Sequence, residues 1–112
     1  MPMTIEMPPT IASTRNRAEL FEALCAALLT PRDSAEMGKL LADLCTPAEI
    51  QTLAERWHVA RLVDGTDASY RDIHDATGVS TTTIVRVARF LRQEPHQGYR
   101  MAIDRVEAKD GR

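Results

Sequence analysis

Four consecutive hydroxyl side chains followed by three arginines are the residues with the clearest potential for chemistry. They are Ser80, Thr81, Thr82 and Thr83, and then Arg86, Arg89 and Arg92. No acid lies in residues 80–92, so this stretch carries a formal charge of +3. At the start of a helix, free backbone N–H groups already favour an anion, and short hydroxyl side chains there can contact phosphates and base edges. The pattern predicts nucleic-acid binding. The alternative is that the hydroxyls only cap a helix and that the arginines form a solvated face.

Catalytic and metal-binding patterns are missing from the sequence. The three histidines are His58, His74 and His96. They form no H-x-x-x-H pair, and Cys25 and Cys45 form no C-x-x-C pair, so we expect no metal site. Ser69 and Ser80 are not in a nucleophile-elbow sequence. We therefore predict neither an enzyme nor a cofactor, and we expect His74 at the surface.

Residues 69–92 predict the helix-turn-helix that would position these side chains. Ser69 and Asp72 can cap a first helix, Gly78 can turn the chain in a left-handed conformation, and Ser80 can cap a second helix. Helical spacing predicts a buried set and an exposed set of side chains. The buried set is Ile73, Val79, Ile84, Val87, Ala88 and Leu91, and the exposed set is Thr82, Arg86, Arg89 and Gln93. A second helix of this kind can enter the major groove of double-stranded DNA.

Composition is consistent with a small helical protein that reads specific sites. The chain has 112 residues, of which 44% are hydrophobic and only 4% aromatic, and its net charge is -2. This charge argues against a general coater of nucleic acid but not against a sequence-specific reader. The sequence predicts no signal peptide and no membrane span, and we expect a cytoplasmic protein with reduced cysteines packed as small core residues.

The rest of the chain predicts further helices, for an all-α fold of about six. A flexible arm over residues 1–13 precedes a single domain over residues 14–112, whose first helix is predicted from about Thr14 to Leu29. A second helix starts near Asp33 or Ser34, and a last one runs from about Tyr99 to Ala108.

The third helix has the clearest start, because Thr46, Pro47 and Glu49 form a capping box with proline at the first helical position. It is predicted to end at Gly65. Its predicted apolar face comprises Ile50, Leu53, Ala54, Trp57, Ala60 and Val63.

The predicted helices carry more apolar surface than one small monomer can cover. The last helix, for example, offers Tyr99, Ala102, Ile103 and Val106 to a partner surface. We therefore predict a homodimer in which the N-terminal helices of one chain pack on the other. Such a dimer would place two recognition helices about 34 Å apart on a two-fold related pair of half-sites.

Two segments resemble the Trp repressor superfamily, in particular its YerC/YecD-type TrpR-related branch. They are Leu-Cys-Thr-Pro-Ala-Glu-Ile-Gln-Thr-Leu-Ala-Glu-Arg at 44–56 and Thr-Thr-Thr-Ile-Val-Arg-Val at 81–87. The resemblance implies an intertwined, all-helical dimer that regulates transcription, and we predict a repressor. The alternatives are a protein-interaction module that keeps this fold and a repressor gated by an unidentified small molecule.

The resemblance also implies roles for individual residues. Those that correspond to base-approaching positions are Arg71, Thr81, Thr82 and Val85, and Thr83 corresponds to a phosphate contact. Arg56 and Arg86 match the two arginines that flank tryptophan in the Trp repressor. Val87 replaces a glycine of that pocket and Phe90 a small polar residue, so we predict that tryptophan does not bind. Arg56 and Arg86 would then contact phosphate or pair with Glu49 or Glu55.

Overall fold

A computed structural model describes residues 16–110, in which the chain forms six helices and no strand. The helices are α1 Arg17–Leu28, α2 Ser34–Leu44, α3 Pro47–Gly65, α4 Tyr70–Thr77, α5 Thr81–Arg92 and α6 Gly98–Lys109. The predicted all-α fold is confirmed. The predicted arm over residues 1–13 and the predicted helix start at Thr14 lie outside the described residues. By their contacts, the helices form two compact units, one ending at Leu44 and one beginning at Cys45.

Reciprocal capping boxes fix the starts of α3 and α4, as the sequence predicts. The hydroxyl of Thr46 accepts the backbone N–H of Glu49 at 3.1 Å, and the Glu49 carboxylate accepts the Thr46 N–H at 2.8 Å. Ser69 and Asp72 make the same pair of bonds at 3.0 and 3.1 Å. Each box satisfies two N–H groups that have no partner inside the helix, so each start is encoded by a few adjacent residues.

A third capping box, which the sequence analysis did not include, fixes the start of α1. The Asn16 side chain accepts the N–H of Glu19 at 2.9 Å, and α1 therefore begins at Arg17. The α6 helix differs from its prediction by one residue at each end, because it begins at Gly98 and includes Lys109. The start of α2 at Ser34 is as predicted.

The core of the second unit consists of ten buried apolar side chains contributed by α3, the helix-turn-helix and α6. They are Val59, Ala60, Val63, Ile73, Val79, Ile84, Val87, Ala88, Leu91 and Ile103. All six side chains predicted to be buried in the helix-turn-helix belong to this core. The two helices of the motif are therefore held by their own apolar faces, which leaves their polar faces outward.

Two predictions of apolar packing are wrong in part. On α3, Ile50 is half-buried and Leu53 is 47% exposed, whereas Val59, absent from the predicted face, is completely buried. On α6, Ile103 does not face a partner surface, because it is completely buried in the core of its own chain. Val106 on the same helix remains 37% exposed.

The first unit has no buried side chain in either of its helices. Large apolar residues of α1 and the segment after it are exposed, including Phe21 at 65% and Leu29 at 84%. Cys25, in α1, is half-buried, and so is Cys45 in the second unit, which corrects the prediction that both are core residues. No helix in residues 16–110 is both long enough and apolar enough to cross a membrane.

Polar contacts join the end of α3 to α5 and to α6. Arg100 of α6 donates two hydrogen bonds to the carboxylate of Asp64 at the end of α3, at 2.6 and 3.0 Å. Arg92, at the end of α5, donates to the carbonyl oxygen of Val63 at 3.2 Å. These contacts hold the end of α3 against the end of α5 and the start of α6.

Candidate nucleic-acid interface

The turn between α4 and α5 is built on a left-handed glycine and a set of local hydrogen bonds. Gly78 has φ 77° and ψ 0°, and its N–H donates to the carbonyl of His74 at 2.8 Å. Thr77 donates its hydroxyl to the carbonyl of Ile73 at 2.7 Å and accepts the N–H of Val79 at 3.1 Å. Hydrogen bonds thus constrain the backbone on both sides of Gly78. The angle between the two helices is therefore set by residues of the turn itself.

His74 has a structural role that sequence reasoning missed. Its side chain is exposed, as predicted, but its Nδ1–H donates to the carbonyl oxygen of Val79 at 2.8 Å. Because a carbonyl oxygen can only accept, this bond selects the tautomer that carries the proton on Nδ1. The bond joins residues five positions apart across the turn, and no sequence motif predicts it.

The four hydroxyls at the start of α5 divide into two pairs. The Ser80 hydroxyl accepts the N–H of Thr83 at 3.2 Å and donates to the Thr83 hydroxyl at 3.0 Å, so these two side chains form the cap. Thr81 and Thr82 are exposed, and their hydroxyls make no hydrogen bond within residues 16–110. Thr81 and Thr82 are therefore the hydroxyl residues available to a partner molecule.

The predicted basic face is exposed along most of α5. Arg86 and Arg89 are exposed, while Arg92 is used in the contact with Val63 described above. Arg71 is exposed on α4, and Val85 is 52% exposed on α5. Apart from the capping pair, the residues predicted to contact DNA are therefore all open to solvent.

A groove of about 260 Å³ runs between the start of α4 and the outer face of α5. It brings together Val85 and Arg89, two of the predicted contact residues, with Arg92. Tyr70, the first residue of α4, also lines it and is 38% exposed. Sequence reasoning did not single out Tyr70, because its place beside α5 depends on how the two helices pack.

The pair Arg56 and Arg86, predicted from the resemblance, is not joined by a hydrogen bond or a ring contact in the described part of the chain. Arg56 is half-buried on α3, and its Nε has no hydrogen-bond partner among residues 16–110. Arg86 lies instead over the ring of Phe90, with its guanidinium carbon 4.3 Å from the ring centroid. Val87 is completely buried in the core.

The predicted alternative of an ion pair with a neighbouring acid is not found for either arginine. Glu49 is engaged in the cap of α3, and the carboxylate of Glu55 accepts a hydrogen bond from Gln51 at 3.0 Å. Neither acid is within ion-pair distance of Arg56 or Arg86 in residues 16–110.

Comparison with known proteins places this helical architecture in a family. The sequence profile described as "Trp repressor protein" matches residues 19–107. The chain belongs to the Trp repressor family. This family member is 40% identical over 91 residues to the uncharacterized protein YerC of Bacillus subtilis (strain 168), and the match covers 81% of the chain and 86% of YerC.

Two solved structures resemble this member of the Trp repressor family. A TrpR-like protein from Eubacterium eligens ATCC 27750 has a TM-score of 0.74 at 34% identity, and the match covers 81% of this chain and 92% of that one. A candidate Trp repressor from Staphylococcus aureus also has a TM-score of 0.74, at 35% identity, with 81% and 89% covered. The Trp repressor family is a family of DNA-binding regulators rather than enzymes, so membership indicates a DNA-binding regulator.

Proposed function

We propose that this protein is a sequence-specific transcriptional repressor that binds the DNA major groove as a homodimer. The observation that carries the proposal is the outer face of α5, which presents Thr81, Thr82 and two arginines on a helix whose inner face is buried. A rigid helix with exposed short side chains at its N-terminus fits the width of a major groove.

Direct reading of bases is assigned to four exposed residues. Thr82 and Thr81 offer both a hydroxyl and a methyl group, and Val85 offers an apolar side chain suited to the methyl group of thymine. Arg71, exposed on α4, can donate two hydrogen bonds to a guanine. No catalytic role is proposed for any of them.

Contacts to the DNA backbone are assigned to the residues that form or flank the cap of α5. Ser80 and Thr83 lie at the helix N-terminus, where N–H groups favour a phosphate. Arg86 and Arg89 are exposed one and two turns further on. Such contacts contribute affinity and fix the orientation of the protein without selecting a sequence.

A homodimer is supported by the uncovered apolar side chains of the first unit. Neither α1 nor α2 has a buried residue, and Leu20, Phe21 and Leu24 are between 37% and 65% exposed. Contiguous apolar surface of this kind marks an interaction surface in most proteins. We infer that a second copy covers it, and that residues 14–112 act as one domain in the dimer.

Tryptophan is not the proposed effector of this repressor. The side chain of Phe90 lies against Arg86, one of the two arginines that correspond to the tryptophan-binding pair. An indole ring would compete with Phe90 for the face of that guanidinium. We therefore propose that this protein binds DNA as the family does but does not bind tryptophan.

Selection of bound duplexes from a random pool tests DNA binding, dimerisation and spacing together. The wild-type protein is expected to enrich a two-fold symmetric motif with half-sites about one DNA turn apart. The matched control is the double variant Thr81→Ala and Thr82→Ala, which keeps the capping pair and is expected to enrich no motif or a weaker one. A wild-type protein that enriches nothing would instead indicate a protein-interaction module. A variant without these threonines and Arg86 that enriches the same motif as strongly would contradict the assignment of these residues to DNA.

A further inference from the structure

The ring of Phe90 is surrounded by the cationic side chains of the proposed DNA-binding helix. The guanidinium carbon of Arg86 lies 4.3 Å from the ring centroid, and that of Arg89 lies 5.1 Å away. The imidazole of His96, beyond the end of α5, is nearly parallel to the ring, with a 12° angle between the planes and 6.0 Å between the centroids. Both arginine distances are within the range of a cation–π interaction, and the distance to His96 is within the range of an offset-stacked pair of rings.

Helical spacing explains the contact of Phe90 with Arg86 but not its contact with Arg89. Phe90 follows Arg86 by one helical turn, so the two side chains lie on the same face of α5. Arg89 directly precedes Phe90, and its guanidinium carbon still lies 5.1 Å from the ring centroid. Phe90 is half-buried, whereas both arginines are exposed. The ring therefore provides a partly buried surface against which the two exposed arginine side chains pack.

Charge around this ring is unbalanced. Arg89 pairs with Glu94 at 3.6 Å, but Arg86 has no carboxylate within ion-pair distance in residues 16–110. Two guanidinium groups therefore lie against one ring, and only that of Arg89 is paired with an acid. This arrangement leaves positive charge exposed on α5, where an approaching phosphate can be bound.

We propose that Phe90 is a positioning residue that orders Arg86 and Arg89 for DNA, so that binding requires no small-molecule effector. An exposed arginine loses rotamer freedom when it binds a phosphate, and a side chain already held on a ring loses less of it. The chain itself thus supplies the aromatic surface that holds Arg86. This inference rests on the proposed function and assigns its mode of regulation.

The first test compares Phe90→Leu and Phe90→Tyr on the selected duplex, with unfolding by urea as a check of the fold. Loss of the two cation–π contacts is expected to weaken binding about five- to tenfold in Phe90→Leu. Phe90→Tyr, which keeps a ring, is expected to bind like the wild type. The matched control is Tyr99→Leu. Tyr99 lines a second groove, beyond the end of α5, together with Phe90 and Arg86, but it has no arginine on its ring, so we expect the affinity of this variant to change less than twofold.

A double-mutant cycle separates positioning from a merely structural effect. In a protein that also carries Arg86→Ala and Arg89→Ala, measured at low salt to retain binding, Phe90→Leu is expected to have no further effect. An equal effect in both backgrounds overturns the proposal. Should Phe90→Leu fail the urea check, Phe90→Met replaces it, because a flexible side chain of similar volume fills the site without a ring.

Effector independence is tested on the wild-type protein without added ligand and with a mixture of the twenty amino acids. Equal affinity in both solutions is expected. Binding only in the presence of the mixture overturns this inference but leaves the proposed function intact. If the selection enriches no duplex in either solution, the proposed function is overturned, so the two failures are distinguishable.

Discussion

The Nδ1–H of His74 donates a hydrogen bond of 2.8 Å to the carbonyl oxygen of Val79, on the far side of the turn between α4 and α5. Val79 is 5% exposed and belongs to the core, whereas His74 is exposed. A surface side chain thus fixes a core residue at the point where the two helices of the motif diverge. The orientation of α5 relative to α4 depends on this bond as well as on the glycine.

We expect His74→Ala to lower the free energy of unfolding by about 1 kcal/mol, the usual net value of one hydrogen bond. Alanine is the better helix former, so any loss reflects the bond and not helix propensity. Urea unfolding at neutral pH measures the change. The matched control is Asp75→Ala, at an exposed residue of the same helix, and it is expected to change stability by less than about 0.5 kcal/mol. An equal loss in both variants would contradict this role for His74.

Gly78 is expected to resist substitution for a reason that is purely conformational. A Cβ atom at this position would meet nothing within 4 Å, but the φ of +77° is strained for any residue with a side chain. Gly78→Ala should therefore cost about 1 to 2 kcal/mol in unfolding experiments. Gly65→Ala, where a Cβ also meets nothing and φ is not positive, is the control and should be neutral or slightly stabilising.

The sequence was most informative where a few adjacent residues determine the structure. The caps at Thr46 and Ser69 and the turn at Gly78 are local, so they were predicted to the residue. The Asn16 cap of α1 is equally local, and Glu19 three residues later is its sequence signal, although the sequence analysis did not include it.

Burial on α3 and α6 was harder to predict because it depends on neighbouring helices. Leu53 and Val59 are both apolar residues of α3, yet only Val59 is buried in the core of the second unit. The sequence alone does not show which side of α6 packs on its own chain, so Ile103 was predicted at a partner surface. Within the site, helical periodicity predicted that Thr82 and Arg86 would be exposed, whereas the stacking of Phe90 against His96 required the path of the chain beyond α5.

The ion pair between Asp64 and Arg100 should make stability depend on acid pH. The hydrogen bonds from Arg100 are the largest influence on the pKa of Asp64 and hold it below the ordinary value of 3.8, against the smaller opposing effect of partial burial. The contribution is then complete above the ordinary value and is lost as the pH falls through the lower folded-state pKa.

The expected result is a lower urea midpoint for Asp64→Asn than for the wild type at neutral pH. The difference should stay constant down to about pH 5 and shrink as the pH falls below 3.8. Asp104→Asn is the matched control, because Asp104 also binds Arg100 but its side chain is 61% exposed, and we expect a smaller difference. A difference that persists unchanged in acid would exclude the ion pair as its cause.

The proposed dimer predicts a strong effect of charge on one face of α1. Leu24→Glu should convert the dimer to a monomer in sedimentation at micromolar concentration, because it places a carboxylate among apolar side chains. The chain's own core should survive, since α1 has no buried residue. Ala26→Glu puts the same charge on the opposite side of the helix and should leave a dimer. A wild-type protein that sediments only as a folded 12.5 kDa species would contradict the dimer itself.

The assignment of base-reading and phosphate-binding roles predicts two different kinds of loss on DNA. Thr82→Val keeps the shape of an exposed side chain but removes its hydroxyl, so it should weaken binding to the selected duplex by about 1 to 3 kcal/mol and leave an unrelated duplex nearly unaffected. Arg89→Ala should weaken both duplexes alike and reduce the slope of log affinity against log salt by about 1. Mobility-shift titrations at two salt concentrations measure the affinity of each variant for both duplexes and the salt dependence of that affinity. Thr52→Val, an exposed threonine on α3, is the control and should change none of them. If Thr82→Val weakens both duplexes equally, Thr82 contacts the backbone and the reading of bases must be assigned to other residues of the face.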